Sequence, residues 1–197
     1  MKKAITLAFV AFLVLHFNSC NPRREVQRIN TDQQVDLSGR WNDTDSRMVA
    51  DALVNQVLNE RWLEEYTRQN HGARPILIVG LVRNKSHEHI NAETFIKDIE
   101  RSIIKDGSAR LVQAGSKREA LRRERADQQD FASSETAKQW GLELGADFML
   151  QGTINSIVDS YRKEKIVYYQ VNLELSNLET NEIVWIGEKK IKKFITN

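Results

Sequence analysis

The sequence has little of three residue types on which common functional sites depend. It contains one cysteine, two prolines and nine glycines among 197 residues. The scattered glycines form neither a G-x-G-x-x-G fingerprint nor a Walker-type phosphate loop, so nucleotide binding has no support. Pro22 and Pro75 cannot make a proline-rich linker. Cys20 has no second cysteine with which to pair.

The charge is balanced once the N-terminal segment is set aside. Residues 1–19 hold two lysines and no acids, which leaves 27 of the 29 basic side chains against 27 acidic ones. A balanced domain has no general electrostatic reason to bind nucleic acid. The composition, 41% hydrophobic and 28% charged, is typical of a globular domain with one core.

The N-terminus has the order of a secretory signal: two lysines, an apolar run over residues 4–15, and a small residue, Ser19, before Cys20. As a helix the run covers only about 18 Å, against roughly 30 Å for a bilayer, so a cleaved signal is favoured over a retained span. The lipobox-like position of Cys20 favours lipid attachment. The alternative is secretion with a free thiol, which is unusual in an oxidising compartment. We expect a signal peptide over residues 1–19 and a lipid on Cys20, with no other cofactor.

Residues 20–39 are polar, and their few apolar side chains follow no sustained period. This pattern predicts a lipidated N-terminus followed by a flexible tether. About nineteen extended residues reach at most about 65 Å, so the domain is expected to stay near its membrane. A single globular domain is predicted over residues 40–197.

Capping residues and apolar periodicity predict the first elements of that domain. A helix is expected over residues 45–59, with a short second helical piece after it. The apolar run 76–82 predicts a strand covered on both faces. Asn91 as N-cap and Gly107 as C-terminal stop then bound a helix over the intervening residues, 92–106.

The middle of the domain is predicted from weaker signals. Residues 109–114 are expected to form a short strand. Ser116 and Glu119 have the spacing of a capping box, which predicts a charged helix that fades near Asp127. Ser133 is predicted to cap a further helix. The narrow apolar face of that helix consists of Ala137, Trp140 and Leu144, and Gly145 is expected to end it.

The last third changes its apolar period from about 3.6 to about 2, as expected for strands. Strands are predicted over 148–154, 167–175 and 183–191, and the connections at 159–164 and 179–181 are short enough for hairpins. The sequence therefore predicts an α/β fold. Its mixed four- to five-stranded sheet is flanked by about four helices and ends in an antiparallel meander.

Catalytic and metal-binding patterns are weak. His87 and His89 could share a strand face and a zinc ion, but they lie in a polar loop without a third suitable ligand. A loop that fixes its own turn or meets a partner is favoured. Capping and solvation explain the carboxylates near 43–45 and 127–130. Ser133 has neither a G-x-S-x-G elbow nor an S-x-x-K lysine. We therefore predict no catalytic residue, no metal and no enzymatic activity.

A dense basic cluster covers residues 117–125. Glu119 and Glu124 interrupt it at spacings that allow pairing within a helix. The pattern alone fits a solvated helix face or a patch that contacts another protein.

The sequence also contains four distinctive blocks, SGRWNDTDS at 38–46, RNKSHEHIN at 83–91, RRERADQQ at 122–129 and GADFMLQG at 145–152. They resemble the LpoB-type activators of penicillin-binding proteins, and the resemblance covers about residues 35–193. It implies an outer-membrane lipoprotein with a periplasmic domain similar to the N-terminal domain of TolB. Such a domain docks on a bifunctional penicillin-binding protein and stimulates it. Well-known members carry a long proline-rich tether, which this chain lacks.

Two other functions remain as alternatives. Envelope assembly or secretion lipoproteins of the CsgG type share the fold, and a stable self-assembled ring would favour that role. A periplasmic zinc enzyme using His87 and His89 is the third hypothesis, and stoichiometric zinc would favour it. For the activator hypothesis we expect a monomeric domain.

The predicted docking surface lies on two polar segments, loop 84–89 and residues 122–135. Loops that leave the carboxyl ends of strands gather at one edge of an α/β sheet, so both segments could lie side by side. Arginine suits such a surface because its planar fork can pair bidentately with carboxylates. The residues expected to bind the partner are Asn84, Lys85, Ser86, Arg122, Arg125, Gln128, Gln129, Asp130 and Glu135.

We predict that Cys20→Ala yields unprocessed or soluble protein, because the attached lipid supplies the membrane affinity. Fractionation of cells, with high-salt and carbonate washes of the membranes, measures the effect. A variant that still sediments wholly with washed membranes would refute the lipid anchor.

Overall fold

The computed structural model describes residues 25–31, 33–133, 135–136 and 143–196. The chain divides into two compact units, Met1–Gln33 and Gln34–Asn197. The described residues of the first unit contain no helix or strand. The second unit begins inside the range predicted as tether, and it holds all the elements below. Among the described helices, none combines the length and apolar character needed to cross a membrane.

Helix α1 (Asp43–Leu58) begins at a reciprocal capping box. The Asn42 side chain accepts the backbone N–H of Asp45 at 3.1 Å, and the Asp45 carboxylate accepts the backbone N–H of Asn42 at 2.9 Å. This arrangement satisfies two N–H groups that a helix start otherwise leaves unbonded. A short second helix, α2 (Arg61–Gln69), follows as predicted.

Asp147 ties α2 to the beginning of the sheet. Its carboxylate accepts the hydroxyl of Tyr66 at 2.7 Å and the backbone N–H of Ile76 at 2.7 Å. Burial, and then the hydrogen bond to Asp147, raises the pKa of Tyr66 to about 12. Strand β1 (Ile76–Lys85) starts at this anchor and continues beyond the predicted end at residue 82.

Helix α3 (Ala92–Asp106) has the predicted bounds. Asn91 caps it by accepting the backbone N–H of Glu93, and Gly107 ends it at a φ of 81°. A left-handed residue costs a side chain about 1 to 2 kcal/mol, which explains glycine at this stop. The buried face of α3 consists of Phe95, Ile99 and Ile103.

The next two elements differ from prediction. Strand β2 is only Arg110–Leu111, because the chain turns away toward α4 (Gly115–Phe131). The predicted capping box is wrong: Ala114 is the N-cap residue, no side chain caps it, and Glu119 instead pairs with Arg122. The helix also continues past Asp127.

The helix predicted after Ser133 lies mainly outside the described residues. Ala137 and Trp140, two of its expected face residues, are among those not described. Leu144 and Gly145 are described and are not helical.

Three long strands complete the sheet: β3 (Phe148–Tyr161), β4 (Glu164–Asn177) and β5 (Ile183–Thr196). They form the predicted antiparallel meander, and each extends beyond its predicted apolar core. The sheet has the order β2-β1-β3-β4-β5, with β2, β1 and β3 parallel. The α/β prediction with a mixed sheet is confirmed.

The core lies on one face of this sheet, where α1 and α3 pack. Alternate residues of each strand reach it, as the pleat requires. On β3, Leu150 and Ile154 are fully buried, whereas Ile157 is 66% exposed. Helix α4 contributes no buried residue. The fold therefore has a packed face and a face on which large side chains remain in solvent.

We predict that Leu150→Ala lowers the free energy of unfolding by about 2 to 5 kcal/mol, because it removes a fully buried side chain and leaves a cavity. Ile157→Ala on the same strand is the matched control and should cost about 0.5 kcal/mol or less. Urea denaturation measures both variants. Equal losses would contradict the assignment of the two sheet faces.

Candidate partner-binding surface

Loop 84–89 overlaps the end of β1, which includes Asn84 and Lys85, and it is held by its own polar groups. The Asn84 side chain donates to the backbone carbonyl of Glu88 at 2.7 Å. Its carbonyl oxygen accepts the backbone N–H of Ser86 at 2.9 Å and the Ser86 hydroxyl at 2.7 Å. Asn84 and Ser86 therefore fix the turn, while Lys85 is exposed. The loop presents a cation on an ordered backbone.

Glu88 joins this loop to distant parts of the chain. Its carboxylate accepts the backbone N–H of Trp41 at 3.0 Å and the hydroxyl of Tyr169 at 2.9 Å. Burial, together with the hydrogen bond to Glu88, raises the pKa of Tyr169. The Trp41 ring meets the Tyr169 and Phe95 rings edge-on, at centroid distances of 5.5 and 6.3 Å. Glu88 thus connects the loop with β4 and with the segment before α1.

His87 fastens the same loop to β3. Its Nδ1 lies 2.7 Å from the hydroxyl of Ser156, and its Nε2 lies 3.2 Å from the Glu88 carboxylate. A serine, a histidine and a carboxylate in line can activate a nucleophile. Here the Ser156 oxygen also accepts the backbone N–H of His87 at 2.9 Å. This bond ties the serine into the fold, and we assign the arrangement to anchoring of the loop.

The proposed use of His87 and His89 as metal ligands finds no third partner nearby. Across the described ranges, no group of three or more histidine, cysteine, aspartate or glutamate side chains could hold a metal ion. Glu88, the acid between the two histidines, is engaged by Trp41 and Tyr169.

Lys193 on β5 holds the segment that precedes α1. Its ammonium group lies 2.7 Å from the Asp36 carboxylate and 2.6 Å from the Asp45 carboxylate, and it donates to the Arg40 carbonyl at 3.0 Å. Burial alone would lower the pKa of Lys193, but its hydrogen bonds to the two carboxylates outweigh burial and raise it. The bond from Lys193 also lowers the pKa of Asp36. These contacts of Lys193 fix the segment from Asp36 to Asp45 against β5.

The arginines predicted to dock a partner meet an acid of the chain itself. Arg122 donates to both oxygens of Glu143, at 3.1 and 2.9 Å, and Arg125 donates to the same carboxylate at 2.7 Å. These hydrogen bonds, from Arg122 first, lower the pKa of Glu143 to about 2. The side chains remain 25–40% exposed. The cluster is therefore an accessible ion-pair network at the surface.

The two predicted halves of the docking surface are separate groups in the structure. Asn84, Lys85 and Ser86 lie together in one loop, whereas Arg122 and Arg125 surround Glu143. In the part of the chain that is described, no hydrogen bond or ion pair joins Asn84, Lys85 or Ser86 to Arg122 or Arg125. The other predicted contact residues follow on or after α4. The Gln128 side chain donates to the Glu124 carboxylate. The remaining predicted contact residues are exposed to solvent: Gln129, Asp130 and Glu135.

Several residues of this surface were missed in the sequence. Glu88, Ser156 and Tyr169 organise the loop, but Ser156 lies 69 residues from His87, and Tyr169 lies 81 residues from Glu88. Local spacing carries no signal for such pairs. The one usable sign was an acid placed between two histidines in a polar loop.

A comparison with protein families places the chain in a known class. A family model of peptidoglycan-synthase activators matches residues 45–191. The family is LpoB, and because the match covers most of the chain, this protein belongs to it. The match confirms the resemblance seen in the four sequence blocks and favours the activator over the CsgG-type alternative. A search of curated proteins finds no significant match.

Solved structures with a similar fold come from several bacteria. The LpoB C-terminal domain of Salmonella enterica is 18% identical with a TM-score of 0.45, and the match covers 76% of this chain and 99% of that domain. The Escherichia coli domain gives 16% identity, a TM-score of 0.45 and the same coverage. Lipoprotein GNA1162 from Neisseria meningitidis gives 12% identity, a TM-score of 0.40, and coverage of 61% and 83%.

We predict that Glu143→Gln lowers the melting temperature at neutral pH, because it removes the charged partner of Arg122 and Arg125. The folded pKa of Glu143 lies below its ordinary value near 4.5. Its contribution is therefore present above that value and is lost as the pH falls toward about 2. The difference between wild type and variant should shrink over this pH window in thermal melts. Glu135→Gln is the control, and a gap independent of pH would contradict the ion-pair assignment.

Proposed function

We propose that this protein is an outer-membrane lipoprotein that binds and activates a bifunctional penicillin-binding protein and so regulates cell-wall synthesis. The family match over residues 45–191 carries this proposal. Cys20 holds the lipid, residues 1–19 are removed, and the chain up to about residue 39 includes the tether. The domain acts in the periplasm as a single copy.

Activation here needs binding rather than chemistry. A protein that binds the active state of an enzyme more tightly than the inactive state shifts the population toward activity. The ordered loop 84–89 suits such a role, because a surface fixed before binding loses little conformational freedom on association. The hydrogen bonds of Glu88 to Trp41 and Tyr169 supply that order. No catalytic group of this chain takes part.

The docking surface that we propose keeps the two predicted segments. Loop 84–89 offers Asn84, Lys85 and Ser86, and α4 with the residues after it offers the arginines, Gln128, Gln129, Asp130 and Glu135. Glu143 holds Arg122 and Arg125 with their guanidinium groups partly exposed. A partner carboxylate could share or replace Glu143 at this position.

Crosslinking in cells that express a tagged copy tests the function. We expect a bifunctional penicillin-binding protein among the captured proteins. Each such synthase of the source bacterium is then purified, and its glycan polymerisation and peptide crosslinking are measured with and without the mature domain. If the domain stimulates none of them, the proposed function is wrong.

We predict that Arg122→Glu combined with Arg125→Glu abolishes activation, because removing an arginine that is buried and paired in a complex typically costs about 2 to 5 kcal/mol of binding. The melting temperature should change by only a few degrees, since exposed ion pairs contribute about 0 to 1 kcal/mol. Glu143→Gln is the matched control, because it frees both arginines without changing their charge, and it should still activate. Full activation by the double variant would move the interface elsewhere, and an unfolded double variant would show that the arginines serve the domain itself.

A further inference from the structure

The outward face of the sheet contains a polar depression that the family assignment does not explain. It has a volume of about 330 Å³ and lies across β1, β3, β4 and β5. Residues that line it include Leu81, Arg83, Lys85, Gln151, Asn172 and Ile186. It is distinct from the arginine cluster of α4, and of the residues predicted to bind a partner only Lys85 lines it.

Two backbone features shape this depression. The register of β1 against β3 shifts between Val79 and Val82, so the outward row of β1 becomes Leu81, Arg83 and Lys85. Next to this row, β3 carries Gly152, where an added Cβ would lie 2.1 Å from the Asn172 carbonyl oxygen. Only glycine permits this close approach of β3 and β4. The site is therefore a product of the fold rather than of flexible side chains.

The cations on its rim have no acid partner among the described residues. Within the described part of the chain, the side chains of Arg83 and Lys85 form no hydrogen bond or ion pair that accounts for their charge. The one acid in the lining, Glu174, accepts the Gln151 amide at 2.8 Å and keeps its negative charge. By contrast, Arg122 and Arg125 have Glu143. With Arg83 and Lys85 against the one carboxylate of Glu174, the lining carries a net charge of +1, which complements a carboxylate on a ligand.

Apolar side chains lie at two sides of the depression, on β1 and on β5. Leu81 is 60% exposed and Ile186 is 65% exposed, and both line the depression. A depression lined by two exposed aliphatic side chains and two cations matches a ligand that combines carboxylate and apolar groups. A short protein segment supplies both kinds of group, whereas a glycan strand presents hydroxyls in place of aliphatic side chains. The aliphatic flanks thus favour protein.

We infer that this depression, with Arg83 and Lys85 at its rim, binds an acidic segment of the synthase that also carries an aliphatic or aromatic side chain. The inference rests on the proposed function and names a part of its interface. The carboxylates pair with the two cations, the apolar side chain packs on Leu81 or on Ile186, and the amides of Gln151 and Asn172 bond to the segment.

The test compares two charge-reversed proteins. One carries Arg83→Glu with Lys85→Glu, and the control carries Arg162→Glu with Lys163→Glu at the exposed turn between β3 and β4, with the same change in net charge. The affinity of each for the activated synthase is measured at physiological salt. We expect the first pair to weaken binding by at least about tenfold and the control by no more than about twofold. Equal losses would mean general charge attraction and would overturn the inference.

A second measurement uses the unmodified protein, so it does not depend on folding of the variants. Amine acylation of Lys85 and Lys163 is compared in the free domain and in the complex. Lys85 should become protected and Lys163 should not, and an unprotected Lys85 would overturn the inference. Binding of the domain to purified sacculi is measured in parallel. If the Arg83 and Lys85 changes abolish that binding but leave synthase affinity intact, the site binds glycan and the inference is wrong.

If the wild-type protein binds no synthase at all, the proposed function itself is wrong, and this result is obtained before the variants are compared.

Discussion

The organisation of this domain depends on one nearly buried carboxylate, that of Glu88, whose side chain is 10% exposed. A carboxylate taken out of water costs several kcal/mol unless hydrogen bonds replace its hydration. Glu88 obtains them from Trp41 and Tyr169, which lie on different parts of the chain. Satisfying this single charge therefore orders loop 84–89, fixes the approach to α1 and closes the aromatic contacts beside α3. Lys193 on β5 acts in the same way, because its ammonium group forms ion pairs with the carboxylates of Asp36 and Asp45.

The parts of the fold that follow local rules could be predicted from the sequence. The bounds of α3 follow from Asn91 and Gly107, and the meander follows from alternation over three strands. The start of α4 could not be predicted, because the S-x-x-E pattern competes with a better partner for Glu119, namely Arg122. A motif states which bonds are possible, and the surrounding charges decide which of them form.

The candidate surface shows the same limit more strongly. Arg122 has acids nearby in sequence, and their spacing predicts pairing within the helix. The structure adds Glu143, 21 residues away, as a bidentate partner, and this pairing needs the chain to return past α4. The sequence also did not predict which residues of β1 face solvent, because the register shift after Val79 changes them. Long-range pairing and strand register are set by the whole fold, so a local pattern does not reveal them.

The two faces of the sheet have different roles: one stabilises the domain, and the other is the face proposed to bind a partner. Helices α1 and α3 cover one face and supply the packed core, so substitutions there act on stability. The other face keeps polar, charged and aliphatic side chains in solvent, including Leu81, Arg83, Lys85 and Ile186. A rigid core behind an open face gives a partner a surface that is fixed before it arrives, so little binding energy is lost to ordering. For the activator that we propose, that energy is what shifts an enzyme toward its active state. The stability of the covered face and the affinity of the open face are therefore linked through the backbone of the strands they share.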